Sequence, residues 1–276
     1  MRELKNLPQS DNNMVKRYLS LYKKIVKTNI SLILTYRTNF VSNIISSFLW
    51  GGLQLVSILL LTSQIKSING WGRVDLLILA GTYSILWGLF HVFFTWNFER
   101  ISDTIFYGQL DSILVKPADS QFLLSFWHVN FSGIVRIIMG IIFIAYLTIK
   151  YNLTFSIINI IGFMSLLIFA LALVYALWYL VATLLIWSPR LSNLIDFLYF
   201  ISGTFRYPPE MFKSGVGNVL LFMIPVLIII TTPTRLLIKK VIYGDILMTI
   251  FFTLVFILLS RFFWKFALRS YTSASG

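Results

Sequence analysis

The acidic residues of this 276-residue chain are few and unevenly distributed. It contains ten Asp and Glu in all, yet four of them, Glu99, Asp103, Asp111 and Asp119, lie within 21 consecutive positions. Catalysis by such a group would require a nucleophile with a base, or a cluster of metal ligands, and neither is visible. The chain has no cysteine, and its two histidines are far apart, so neither a thiolate site nor a zinc site is expected. We therefore predict no catalytic, metal or cofactor-binding residues.

The composition is that of an integral membrane protein. Hydrophobic residues make up 58% of the chain and charged residues 12%, against about 25% charged in soluble domains. Mean hydropathy is +0.82. The net charge of +13 does not indicate nucleic-acid binding, because the basic residues lie between long apolar runs rather than along one polar surface.

Apolar runs predict six membrane-spanning helices, since a span needs about 20 mainly apolar residues. The predicted spans are 40–62, 76–96, 126–147, 157–187, 191–205 and 246–264. The fifth is short and carries Asp196. We expect an all-α polytopic fold with a cytoplasmic N-terminal segment at 1–39 and a transmembrane domain at 40–276.

A shorter run precedes the last span. Residues 219–230 are interrupted by Pro225 and followed by Pro233, and proline removes a helical hydrogen bond. Such backbone is tolerated at membrane depth only when protein or water shields it. We predict a re-entrant or interfacial hairpin within an outer region at 206–240; the alternative is a seventh span at 219–238.

The N-terminal segment alternates basic and apolar residues at helical spacing between positions 18 and 36. This pattern predicts an amphipathic helix lying at the membrane surface with its basic side toward anionic lipid, or alternatively a solvated basic helix. Eight Lys or Arg occur in the first 39 residues, against two in the loop after the first span. Both termini are therefore predicted to be cytoplasmic, although five cations in residues 206–245 then lie outside.

With this orientation, the acidic stretch belongs to a cytoplasmic loop at 97–121. An Asp at mid-bilayer costs about 2.5–3.5 kcal/mol, so four acids exclude a span here. Phe94, Phe98, Ile101 and Ile105 share one helical face, which predicts an amphipathic helix, a stop at Gly108 and a second short acidic element. We expect this ordered, charged loop to dock a partner; the alternative is a loop that merely avoids the bilayer.

Together these features resemble the ABC type-2 permeases, the membrane subunits of ATP-driven exporters, and among them the chains that lack their own ATPase domain. The resemblance is carried by the basic N-terminal helix and by three motifs. These read GQLDSILVKP at 108–117, GTFRYPPEMF at 203–212 and IPVLIIITTPTRLL at 224–237.

The resemblance implies two permease subunits per pore, identical or related, and a coupling helix in the loop between spans two and three. It implies a re-entrant element at the outer face between spans five and six. The residues expected to couple to the ATPase are Glu99, Asp103, Gly108, Leu110, Asp111, Lys116 and Pro117.

ATP itself is expected on another chain. A phosphate-binding loop needs GxxxxGK followed by Ser or Thr, and no Gly-Lys pair occurs in the sequence. We therefore predict no cofactor in this chain, with ATP and magnesium on two cytoplasmic ABC ATPase subunits per complex.

Further candidates lie within the spans. Arg136 shares a helix face with Gly133 and Gly140, which predicts a pore-facing or helix-pairing role with Asp196 as its partner; the alternative is an arginine nearer the cytoplasmic interface. Trp87 and His91 in the second span are also pore candidates; the alternatives are core packing or lipid contact for Trp87 and, for His91, a hydrogen-bonded packing residue, which is the commoner role of a lone histidine among phenylalanines.

The segment after the fifth span contains a rigid turn. We predict that an outer gate is formed by residues that surround this turn and begin the hairpin, namely Arg206, Tyr207, Pro208, Pro209, Glu210 and Pro225. An ordinary extracellular turn is the alternative.

The predicted function is that of a permease subunit moving a hydrophobic or amphipathic substrate outward across a bacterial plasma membrane, in contact with membrane lipid. The alternative is a secondary transporter or channel that needs no ATPase. That class is expected to have paired ionisable residues at the bilayer midplane and inverted repeats, and neither is evident here.

Overall fold

The computed structural model describes residues 14–64, 67–68, 70–188, 191, 193–212 and 224–272. The described chain is mostly helical. Its helices are α1 (Met14–Thr35), α2 (Arg37–Leu61), α3 (Arg73–Phe90), α4 (Trp96–Phe106), α5 (Gln109–Leu114), α6 (Ser120–Phe126), α7 (Gly133–Lys150), α8 (Ile157–Leu184), α9 (Asn193–Ser202), α10 (Ile224–Leu237) and α11 (Tyr243–Arg269). Strands β1 (Ser67–Ile68) and β2 (Trp71–Gly72) form a small antiparallel hairpin before α3.

Five helical segments of the described chain are long and apolar enough to cross a membrane. They contain 18 to 34 residues and correspond to α2, to α3 continued by α4, and to α7, α8 and α11. At about 1.5 Å per residue, even 18 residues cover about 27 Å, close to the thickness of a bilayer core. The predicted class of helical, multi-pass membrane protein is confirmed. Helix α9 has only ten residues, so a sixth span stays a prediction.

The bundle has two ends, which we name by the elements they carry. The α1 end carries α1, α4 to α6 and the last turns of α11, where Trp264 Nε1 donates to Ser120 Oγ at 3.0 Å. The hairpin end carries β1, β2 and the first turns of α3 and α11. There Lys240 pairs with Asp75 at 2.6 Å.

Helix α3 forms the centre of the bundle. It is apolar on all sides, and nearly all of its residues from Leu76 to Phe90 are buried, as expected of a helix enclosed by others. A π-helical turn at His91–Thr95 joins it without interruption to α4. The second span, predicted to end at residue 96, thus continues as one helix to Phe106.

The start of the third span was predicted wrongly. Helix α7 begins at Gly133 rather than near residue 126, because residues 127–132 form a non-helical connection. Side-chain amides satisfy its backbone: Asn97 Nδ2 donates to the His128 carbonyl at 2.8 Å, and the His128 N–H donates to Asn97 Oδ1 at 2.9 Å. Asn29 Nδ2 likewise donates to the Trp127 carbonyl at 3.1 Å. These bonds replace helical ones, and apolar composition alone does not reveal them.

Helix α10 is short and packed within the protein. Its residues Ile228–Leu237 form an apolar helix of ten residues, interrupted by Pro233. Ile229 and Ile230 are fully buried, and Leu236 packs beside Gly162 of α8. Residues 213–223 lie outside the described part of the chain, so the re-entrant hairpin, and the seventh span considered as its alternative, remain untested.

Candidate functional site

The acidic stretch forms two helices joined by a sharp turn. Helix α4 ends at Phe106, Gly108 adopts φ 66°, and α5 follows at once. Glycine takes this left-handed conformation without the steric cost of a side chain. The predicted order of amphipathic helix, glycine break and second short element is therefore confirmed.

The apolar side of this structure is covered by the chain itself. Phe98, Ile101, Ile105 and Leu110 are all at most 4% exposed and belong to the main hydrophobic core. Their burial fixes α4 and α5 against the bundle. A partner would therefore meet the opposite side of the two helices.

That opposite side combines charge with exposed apolar groups. Glu99 and Asp103 are exposed, and so are Tyr107 and Val115, at 68% and 83% of their surface. Large apolar side chains this exposed, bordered by carboxylates, are typical of a surface that binds another protein. We call the exposed face of α4 and α5 the acid face.

Helix α1 supports the acid face from the side. Leu21 and Ile25 pack with Leu123 of α6 in a small second core, with Ile113 of α5 against it. The Arg17 guanidinium donates to the Pro117 carbonyl, and the Asp119 N–H donates to Tyr18 Oη at 3.1 Å. The lysines of α1 point away from this contact: Lys16, Lys23, Lys24 and Lys27 are exposed.

The last helix holds the same loop from another direction. Asp119 forms a two-pronged ion pair with Arg261 of α11, whose Nη1 also donates to Gln121 Oε1 at 3.1 Å. Burial alone would raise the pKa of Asp119. The hydrogen bonds from Arg261 and from the Phe122 N–H outweigh it and lower that pKa below its usual range. The link is therefore charged at any physiological pH.

Lys116, predicted to couple, faces inward. Its Nζ lies 4.0 Å from the centre of the Trp127 ring, and burial lowers its pKa. His128 lies nearby, 3.3 Å from Arg100. Burial first, and the positive Arg100 second, lower the pKa of His128 to about 4, so it is neutral at physiological pH.

Asp111 also has a partner within the chain. Burial and the neighbouring Asp111 carboxylate raise the pKa of Tyr271, which follows α11. Together with Arg261, this contact connects the C-terminal end of α11 with α5 and α6. The acid face thus rests on α1, α6 and α11.

Two pairs of glycines join α3 to α7. A Cβ built at Gly88 would lie 2.8 Å from the Ile137 nitrogen, and one at Gly133 would lie 2.7 Å from the Gly88 carbonyl oxygen. Gly140 meets Gly81 in the same way, its Cβ position being 2.8 Å from the Gly81 carbonyl oxygen. Only glycine permits the backbones to approach so closely.

His91 takes part in a chain of hydrogen bonds that joins the π-helical turn, the connection at 127–132 and α2. Asn130 Nδ2 donates to His91 Nε2 at 3.0 Å, because Asn130 Oδ1 is occupied by Ser132 Oγ at 2.7 Å. Ser47 of α2 then donates to Ser132 at 3.1 Å. His91 is thereby a hydrogen-bonded packing residue, as its alternative interpretation had it.

Arg136 does not pair with Asp196, and the prediction of that partner was wrong. Asp196 lies in the first turn of α9 at the α1 end, where its charge acts on Glu99. The Arg136 side chain instead approaches Tyr83 of α3, and both line a pocket of about 440 Å³ between α2, α3 and α9. We call it the arginine pocket, because Arg206 also lines it. Trp87 forms part of its wall.

Of the predicted gate residues, Glu210 belongs to an ion-pair cluster at the hairpin end. Glu210 binds Arg235 of α10, which also binds Asp245 of α11, and Glu210 Oε2 accepts from Trp71 Nε1 at 3.0 Å. Arg206 ends one 3₁₀ turn, and Pro209 begins the next. Tyr207 and Pro208 link the two turns. Pro225 lies in the first turn of α10.

The motif resemblance is tested by comparison with protein families. A family model described as "ABC-2 family transporter protein" matches residues 48–275. The chain belongs to the ABC-2 transporter family. Neither the comparison with curated proteins nor that with solved structures returned a match.

Membership in the ABC-2 family makes the chain the membrane component of an ABC transporter, which associates with an ABC ATPase. The ABC-2 match includes the acid face, the arginine pocket and the cluster at the hairpin end, and it excludes α1.

Several structural residues of this ABC-2 chain were not anticipated from its sequence. Gly81 and Gly88 repeat the seven-residue spacing of Gly133 and Gly140, and this shared spacing was a detectable signal. The sequence marks Arg235 only as one of the five cations in residues 206–245, on the predicted outer side of the membrane. Its two partners are 25 and 10 residues away, and no local pattern identifies them.

Proposed function

We propose that the chain is the permease subunit of an ABC exporter, pairing with a second permease subunit and with two separate ATPase subunits. It moves a hydrophobic or amphipathic substrate outward. The ATPase and magnesium-bound ATP act at the cytoplasmic side, which in this proposal is the α1 end. The observation that carries the proposal is the acid face, an exposed surface supported by α1, α6 and α11.

The mechanical path from this surface is short. Helix α4 continues α3 without a break, so a push on α5 and α4 is transmitted along one rigid helix. Helix α3 in turn lies against α7 at the glycine contacts, where close backbones leave no room for independent movement. A displacement of the acid face is therefore expected to move α3 and α7 together.

The path of the chain supports six crossings. Helix α8 ends at the α1 end, where Trp187 contacts Phe263 of α11 at 5.5 Å between ring centres. Helix α11 begins at the hairpin end. The chain must therefore cross between the two ends once more, and α9 with its two 3₁₀ turns lies along this crossing.

A re-entrant outer element has similar support. Glu210 and Arg235 lie on either side of residues 211–234, between α9 and α11, and they touch each other at the hairpin end. A segment whose first and last residues both lie at the hairpin end can enter the bundle without crossing the membrane. The ion pair would close the base of this element as part of the outer gate.

Charge removal on the acid face tests the coupling. The chain is purified together with its native ATPase, and the ATPase activity that co-purifies is measured. The double variant Glu99→Ala, Asp103→Ala should reduce that activity at least several-fold, because exposed carboxylates guide and orient a charged partner. Tyr107→Ser should have a similar effect through loss of apolar contact.

Tyr243→Ser is the matched control for the aromatic change, since Tyr243 is also exposed but lies at the hairpin end. The Tyr243→Ser variant should retain as much ATPase as the wild type. All variants should unfold at the wild-type temperature. Full retention of the ATPase by the double variant and by Tyr107→Ser would refute docking at the acid face.

A further inference from the structure

The arginine pocket combines two cations with an aromatic wall. It opens on the side of the bundle where Trp50 of α2 is 69% exposed. Its lining includes polar and aromatic residues of four elements: Trp50, Gln54, Tyr83, Trp87, Arg136 and Arg206.

The guanidinium groups in this pocket differ from those of two other arginines of the bundle. Arg235 and Arg261 bind carboxylates directly. Arg136 and Arg206 instead interact electrostatically with the Tyr83 hydroxyl. Within the described chain, the Nε atoms of Arg136 and Arg206 are buried and donate no hydrogen bond.

A third donor in the same pocket is unsatisfied. The side-chain Nε2 of Gln54 is buried without a partner among the described residues. Three unused donors, two of them cationic, are costly at this depth, since buried polar groups normally have partners. An anionic group entering the pocket would satisfy them.

The remaining wall suits an apolar body. The rings of Tyr83 and Trp87 are stacked with their centres 5.8 Å apart and an angle of 7° between their planes, and both line the pocket. Trp50 projects from α2 on the open side. A ligand could thus contact rings with its body while its head reaches the guanidinium groups.

We propose that the arginine pocket binds an amphipathic anion, a carboxylate, phosphate or sulfate joined to an apolar body. Arg136, Arg206 and Gln54 bind the head, and Trp50, Tyr83 and Trp87 contact the body. That this anion is the transported substrate rests on the proposed function; its binding does not.

Equilibrium binding to the full chain in phosphatidylcholine nanodiscs tests the site. Radiolabelled dodecyl phosphate should bind saturably without ATP or ATPase, and dodecylphosphocholine, with the same tail but no net charge, should compete at least about tenfold less well. Arg206→Gln should weaken binding about tenfold or more, because charge-assisted hydrogen bonds are lost. Arg206→Lys should retain part of it.

Arg269→Gln is the matched control, being an exposed arginine outside the pocket, and should bind as wild type. Trp50→Ala is a second pocket variant that is expected to fold, because an exposed side chain can be removed without disturbing the core. This variant should also weaken binding of dodecyl phosphate. Equal binding by Arg206→Gln and wild type, or equal competition by the two dodecyl compounds, would overturn the proposal.

The source of the anion is decided by the bilayer. If nanodiscs containing phosphatidylglycerol abolish dodecyl phosphate binding, the pocket binds an anionic membrane lipid, which supports the site with a lipid as its ligand. Unchanged binding supports a ligand that is not a bulk lipid. Full ATPase retention in the acid-face variants, with dodecyl phosphate binding intact, would refute the coupling proposal and leave this one standing; loss of ATPase retention without saturable binding would do the reverse.

Discussion

Arg235 shows how single residues hold this bundle together. Its side chain is 9% exposed and binds Glu210 and Asp245, which come from different elements. The Trp71 ring lies 5.5 Å from the guanidinium carbon. One residue thus links α10, α11, strand β2 and the second 3₁₀ turn after α9.

We expect Arg235→Ala to lower the free energy of unfolding by about 3–5 kcal/mol, because two largely buried carboxylates lose their partner. Thermal unfolding in detergent measures the effect. Lys240→Ala is the control: its ion pair with Asp75 has a lysine that is 48% exposed, so the cost should be about 1 kcal/mol or less. Equal shifts for the two variants would show that burial does not make the Arg235 ion pairs more stabilising than the exposed Lys240 pair.

At the scale of elements, the contact between α3 and α7 decides whether the bundle moves as a unit. Gly88 and Gly133 bring the two backbones together next to the π-helical turn. The turn marks the point where α3 passes into α4. Movement of the acid face would therefore first reach this contact.

Gly88→Ala should destabilise the protein by about 1–3 kcal/mol, because the added methyl group meets backbone atoms that cannot rotate away. Gly52→Ala in α2 is the matched control. Its methyl group would meet only the end of Met139, at 3.6 Å, and alanine favours the helix. Unfolding midpoints in detergent compare them, and a Gly88→Ala protein as stable as Gly52→Ala would argue against tight packing here.

At the scale of the whole molecule, the proposed orientation faces one objection, the cations near the hairpin end. Two of them are neutralised in the fold, since Arg235 and Lys240 both bind carboxylates. The positive-inside rule counts cations rather than net charge, so this pairing explains how the fold accommodates them but leaves the orientation to the first helices. The basic α1 still favours the α1 end as the cytoplasmic one.

The absence of cysteine allows a direct test of this orientation. Ser112→Cys on α5 should resist a membrane-impermeant maleimide in intact cells and react after permeabilisation. Ser63→Cys at the hairpin end should react in intact cells, since both serines are exposed. The reverse labelling pattern would invert the topology and remove the acid face from the ATPase.

By itself, the amino-acid sequence determined the membrane class, the long helices and the pattern of α4, Gly108 and α5, because hydrophobic runs, periodicity and glycine act over a few neighbouring residues. The ABC-2 family followed from motifs of similar length. Only the tertiary structure decided where α7 begins, which carboxylates Arg235 and Arg261 bind, and that Arg136 turns toward Tyr83 rather than Asp196. These depend on groups that are far apart in the chain, and their contacts exist only once the helices have packed.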